Sequence, residues 1–185
     1  GCDQAILLSD PAFANLDSLM VSKVLAAAIE KVGDFDLIFF GRSSVDSDTG
    51  ITGAQTARRL GYPVLSLCAK IEAVSPDSKT IEVERMLDEG RQMVRSPLPA
   101  VLTVVKEINE PRYPSFMGIR KASKAEIPIW NASDLGIEEE LVPAMQWPAI
   151  FEPPKVETTC EMIEGDTPQD VANALVTKLV EGKVL

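Results

Sequence analysis

Histidine is missing altogether, and aromatic side chains make up only 5% of the 185 residues. Imidazole is the usual general base at neutral pH, the usual partner of a Ser or Cys nucleophile and the commonest metal ligand. Its absence removes triad hydrolases and His-bearing zinc sites. Cysteine is scarce as well: Cys2, Cys68 and Cys160 lie far apart with no CxxC pair, so no zinc ribbon or iron–sulfur motif can be built from local spacing. An odd, sparse cysteine count without a secretory signal is read as a reducing, cytoplasmic setting. Basic side chains are outnumbered, 18 Lys and Arg against 28 Asp and Glu, for a net charge of −10. That balance argues against nucleic acid, whose affinity comes largely from cations neutralising phosphates. No apolar run reaches the roughly 18 residues of a membrane span, so no membrane insertion is expected.

What remains is a 45% hydrophobic chain long enough to bury a core without metal or disulfide staples. Residues 5–9 (AILLS) form an apolar run ending at Asp10-Pro11, the pattern of a buried parallel strand. Between Asp17 and Val32 the apolar positions Leu19, Met20, Leu25, Ala28 and Ile29 recur at helical spacing, with Asp17 as a cap and Gly33 as a stop. Residues 36–41 (DLIFFG) predict a second buried strand, and residues 51–60 a helix stopped by Gly61 and Pro63. Alternating strands and helices imply an open, mostly parallel Rossmann-like α/β sheet with right-handed crossovers.

The middle alternates instead. Residues 64–74, 80–87 and 92–96, separated by polar turns, predict an antiparallel excursion, and residues 100–105 (AVLTVV) return to the core as a central strand. Prolines at 111 and 114 exclude helix interior there, while 115–124 can form a short helix. Five prolines between 128 and 154 suggest an extended arm. The tail regains order, with Asp166 or Thr167 as cap, Pro168 in the first turn and an apolar stripe at Val171, Leu175, Leu179 and Val180. A division into residues 1–127 and a docking arm of 128–185 follows.

The richest chemical signal lies between the second strand and the second helix: Gly41, Arg42, Ser43, Ser44, Val45, Asp46, Ser47, Asp48, Thr49, Gly50, Ile51 and Thr52. In an open α/β sheet, ligands bind beyond the carboxyl ends of strands, and a helix start offers free N–H groups to an anion. Small residues let a phosphate approach the backbone, hydroxyls add donors, and Arg42 adds a cation. Asp46 and Asp48 would repel phosphate and are assigned to loop bracing, helix capping or ribose hydroxyls. The loop is neither GxxxxGK[ST] nor GxGxxG. From these residues alone, a plain strand-to-helix turn and a nucleotide cradle both stay open. A second signal is electrostatic. Lys106, Arg112, Arg120, Lys121 and Lys124 face only Glu107 and Glu110 in an otherwise acidic chain, with Tyr113, Phe116 and Met117 among them. Either a docking surface for an acidic partner or a solvated helix face fits. Paired carboxylates at Glu84/Asp88 and Glu138–Glu140 read as solvated surface.

The segments GRSSVDSDTGITG, VERMLDEG, LPAVLTVVKEINEPRYPSFMGIRKASK and GDTPQDVANALVTKLVEGKVL, in this order, resemble the β subunit of electron-transfer flavoproteins, including the nitrogen-fixation homologues. The resemblance implies an adenine-nucleotide-α-hydrolase-like fold and a heterodimer with an α subunit that carries FAD and passes electrons between flavin dehydrogenases and an acceptor. It implies AMP, or a second FAD, on Gly41–Thr52, in a bacterial cytoplasmic protein. It also implies dehydrogenase recognition by Asn109, Glu110, Pro111, Arg112, Tyr113, Pro114, Ser115, Phe116, Met117 and Gly118, with Phe116 as apolar anchor and Lys121 and Lys124 at the end of that stretch. The family carries a further N-terminal strand and helix that supply nucleotide contacts. On the resemblance this chain is expected to lack that segment and to leave a sheet edge or apolar face open. Met86, where the family commonly has Glu, and Ser123, within a usual lysine run, depart from the pattern. A small nucleotide-binding module of the universal-stress type is the alternative, and a purely structural interaction domain a third reading.

Overall fold

The computed structural model describes residues 2–33, 35–138, 141–145, 148–155, 158 and 160–184. The chain divides into two compact units, Gly1–Gln146 and Trp147–Leu185. Residues just beyond 128 supply a strand and part of a core to the first unit.

In the first unit, β1 (Leu7–Leu8) leads through a short 3-10 turn to α1 (Ser18–Val32) and β2 (Leu37–Gly41). Asp17 caps α1 by accepting from the Met20 amide at 2.9 Å, and Gly33 ends it at φ 120°, as the spacing predicts. α2 (Thr52–Leu60) leads to β3 (Val64–Ser75), β4 (Thr80–Leu87), β5 (Gly90–Pro97) and β6 (Ala100–Val104). The five-stranded sheet has the order β2-β6-β3-β4-β5. β2, β6 and the start of β3 run parallel, while β3, β4 and β5 form the antiparallel excursion. β6 is central: Ala100, Val101 and Leu102 are fully buried. Leu65, Cys68, Ile81, Val83, Ala100 and Leu102 make the main core. A continuous apolar run on the central strand and alternation on β4 are what these environments require.

β1 departs from expectation. It is two residues long, half-exposed at Leu7, and pairs in parallel with β7 (Ile129–Trp130) in a separate ribbon instead of joining the main sheet. Apolar content alone cannot tell a central strand from a short ribbon, because both satisfy the same local pattern. β2 stands at one edge of this sheet, no other described strand pairing with its outer side, and its Phe39 is 52% exposed. The opposite edge, β5, is guarded by Arg91 and Arg95, ion-paired to Glu84 and Glu82 of β4.

α1 is gripped from two sides. Ser22 faces α2, where Arg59 Nε donates to its Oγ at 2.9 Å. Val24 joins Ala132 and Ile137 in a second, smaller core. In the second unit, α4 (Pro168–Glu181) starts with a capping box between Thr167 and Asp170, has Pro168 in its first turn, and carries Lys178 ion-paired to Glu161. Of the expected acidic surface run, Glu138 is exposed, whereas residues 139 and 140 lie outside the described residues.

Candidate functional site

Residues 41–51 leave the carboxyl end of β2 and are exposed throughout. Two residues take the left-handed backbone, Asp48 at φ 45° and Gly50 at φ 64°. At Gly50 a Cβ would sit 3.4 Å from the Arg42 carbonyl, so the loop folds back closely on itself. Polar bonds brace that return. The Ser43 hydroxyl donates to the Asp48 carboxylate, the Asp48 amide to the Ser44 carbonyl at 3.1 Å, and the Ser44 and Ser47 hydroxyls lie 2.9 Å apart. Asp48 therefore braces the loop. It does not cap the helix: Ile51 precedes α2 without any side-chain cap, which leaves first-turn amides for another acceptor. Among the described residues Arg42 forms no ion pair. An uncapped helix start beneath a Ser/Thr-rich loop with an uncommitted cation fits a phosphate-bearing ligand.

The packing of α2 places this start. Gly53 lies against the sheet where a Cβ would come within 2.9 Å of Thr103 Cγ2 and 3.1 Å of Phe40 Cβ and Cγ. Phe40 and Thr103 are themselves paired across β2 and β6. Thr56 is fully buried behind Gly53, its Oγ1 donating to the Thr52 carbonyl at 2.8 Å. Thr103 Oγ1 accepts from the Leu67 amide at 3.1 Å, at an irregularity in the β3–β6 register where Leu67 has φ 57°. Arg85 of β4 clamps the same place, its Nε donating to the Ser66 carbonyl and its Nη2 to Ser66 Oγ, both at 2.7 Å. Arg85 and the bulge escape a periodicity argument, since nothing in VLSLCAK announces a leucine with positive φ.

The second predicted stretch leaves the same end of the sheet. Gly41 of β2 pairs with Val104 of β6, so the loop and the chain beyond β6 start from neighbouring positions. After a 3-10 turn (Lys106–Ile108), residues 109–114 carry no regular secondary structure and Ser115 caps α3 (Phe116–Ala122), accepting from the Gly118 amide at 3.1 Å. Tyr113 is 99%, Phe116 79% and Met117 69% exposed. Large side chains left mostly exposed within the chain are the composition of a contact surface. Lys121 lies 3.7 Å from Asp3, a contact between two exposed groups. A cleft of about 440 Å³ next to Asn109, lined by Phe39, Lys70, Ile71, Val104 and Ile108, has no counterpart in the sequence reading. Lys70 there is held above its ordinary pKa by its hydrogen bond and charge pairing with Glu72, 2.8 Å away.

Nothing in these arrangements makes a nucleophile–base pair. Among the described residues no three His, Cys, Asp or Glu side chains converge as a metal site, and no helix is long and apolar enough to cross a membrane. Cys68 is buried, and burial raises its thiol pKa against the opposing charge of Arg85.

The electron transfer flavoprotein domain matches residues 1–135. Subunit CarD of the caffeyl-CoA reductase-Etf complex of Acetobacterium woodii is 39% identical over 189 residues, covering all of this chain and 71% of the relative. The electron transfer flavoprotein subunit beta of Megasphaera elsdenii is 32% identical over 196 residues, covering 100% and 72%. Protein FixA of Azorhizobium caulinodans is 36% identical over 143 residues, covering 75% and 51%. The chain thus spans about half to about seven tenths of the length of the curated relatives it matches.

Proposed function

The chain belongs to the electron transfer flavoprotein family, and from that premise we propose that it acts as the β-type subunit of a heterodimer that relays electrons from flavin dehydrogenases. One observation carries the reading at residue level: the family's domain coincides here with a braced, exposed loop above an uncapped α2. Flavin supplies the electron chemistry when bound, so the protein needs position and charge instead of an acid–base pair. That fits a chain without histidine.

In this reading Gly41–Thr52 hold an adenine nucleotide. Arg42 and the amides at the start of α2 meet the phosphate. Ser47, Thr49 and Thr52 donate hydroxyls to phosphate or ribose, Gly50 allows close backbone approach, and Asp48 stays engaged with Ser43. AMP and the adenine half of a second FAD share the chemistry that this loop recognises, and FAD shared with an α-type subunit completes the heterodimer. Residues 109–118 face the dehydrogenase, with Phe116 as anchor and Lys121 and Lys124 steering an acidic partner. A bacterial cytoplasmic setting goes with this role.

Titration of the chain with AMP and with FAD, followed by amide chemical shifts, tests the nucleotide assignment. Shifts concentrated at residues 41–54 are expected. Binding that leaves those amides unmoved, or no binding to the chain even within its heterodimer, contradicts it.

A further inference from the structure

Two carboxylates early in the chain each divide their oxygens in the same way. Asp10 Oδ1 accepts from the Ala12 amide at 2.8 Å, capping the short turn that follows it, while Oδ2 accepts from the Ala132 amide at 2.9 Å. Asp17 Oδ1 accepts from the Met20 amide, capping α1, while Oδ2 accepts from Ala144 and Met145 amides at 2.8 and 3.1 Å. One oxygen serves the local cap and the other holds backbone more than a hundred residues away. Lys31 adds a third fastening, donating to the Asp134 carbonyl at 2.6 Å with its ammonium 4.5 Å from the Trp130 ring centroid.

The apolar contact under these fastenings is separate from that of the sheet. Val24, Ala132 and Ile137 are its buried residues, Leu135 and Leu141 of the same stretch pack against them, and none of them belongs to the main core. The β1–β7 ribbon contributes two residue pairs. α1 is held independently on its other side, where Arg59 donates to Ser22 Oγ and to the Leu19 carbonyl. A segment whose apolar cluster and hydrogen-bond set are its own can open as a unit apart from the core it lies on.

The geometry points to a strap: residues 129–138 and 141–145 open from α1 as one cooperative unit while the five-stranded sheet stays folded, and Asp10 and Asp17 are its two latches. Opening uncovers the Val24 side of α1.

Serine separates latch from cap. Ser is as good an N-cap as Asp, yet its single oxygen serves the cap alone. In native-state hydrogen exchange on the 185-residue chain, Asp17→Ser is expected to speed exchange at Ala144 and Met145 by about tenfold, the scale of one charge-assisted bond. If the strap is cooperative, Ala132 and Ile137 accelerate with them, and Asp10→Ser gives the same pattern from the other end. Amides of Val101 and Leu102 stay unchanged. Acceleration confined to each variant's own partners, no acceleration, or equal acceleration in β6 overturns the proposal. Should a variant fail to fold, the wild-type chain decides. Strap amides sharing one opening free energy below that of β6 support the strap, and exchange only through global unfolding refutes it.

Discussion

Replacing Gly53 with alanine sets two effects of opposite sign against each other. Alanine gains about 1 kcal/mol over glycine in a helix interior, and less near the start where Gly53 stands. Against this, the new Cβ meets Thr103 Cγ2 at 2.9 Å and Phe40 Cβ and Cγ at 3.1 Å. Neither neighbour yields readily. Phe40 and Thr103 are cross-strand partners, and turning Thr103 away would take its Oγ1 from the Leu67 amide. Overpacking of this kind costs about 1–3 kcal/mol, so a net loss of about 1–2 kcal/mol is expected. For a chain of this size that lowers the melting temperature by roughly 2–8 °C. Thermal unfolding and urea titration read it directly. Because Thr103→Ser keeps the hydroxyl and deletes Cγ2, Gly53→Ala in that background should recover about 1 kcal/mol as a coupling energy. Nucleotide affinity should fall as well, since the strain lifts the start of α2. A melting temperature that rises or holds, or additivity with Thr103→Ser, would refute the close approach of helix and sheet.

Arg42→Ala should weaken AMP or FAD binding by about tenfold, the value of one charge-assisted contact, while leaving the melting temperature unchanged; an unaltered isotherm counts against Arg42 as phosphate partner. Under native conditions a thiol reagent should modify exposed Cys2 and Cys160 quickly and buried Cys68 slowly, and a fast third thiol would contradict the burial. Asp10 is held below the ordinary carboxylate range first by the Ala12 amide and then by Ala132, and Asp17 first by Met20 and then by Met145 and Ala144. A depressed folded pKa means that their stabilisation is complete above the unfolded value of about 3.9 and is lost as pH falls through the folded values. Acid unfolding should therefore steepen below about pH 4 and become shallower in Asp10→Asn/Asp17→Asn, with an unchanged profile as the contrary result.

Where one residue's neighbours in sequence decide its structure, the chain announces the outcome. The α1 caps, the Thr167 box, the central run of β6 and the antiparallel excursion all rest on local pattern, and all are where the pattern puts them. What depends on distant partners was not legible. AILLS and DLIFFG look alike, yet one lies in a two-residue ribbon and the other pairs with β6, because pairing is settled by residues near 100 and 130. Nor does a proline count reveal that Ala132 and Ile137 bury against Val24. The 41–52 stretch is legible as a loop from its small and hydroxyl residues between a strand and a helix. Its bracing by Asp48, the missing cap of α2 and the Arg85 clamp on Ser66 were not, since each is a tertiary choice among acceptors that the sequence offers equally.

The central claim, a β-type subunit that holds an adenine nucleotide beside a flavin-bearing partner, is tested most directly by coexpressing the protein with its α-type subunit. The purified material is measured for mass, visible absorbance and released nucleotide. A yellow heterodimer that releases FAD together with AMP, or two FAD and no AMP, is expected. A colourless monomer without nucleotide would contradict it.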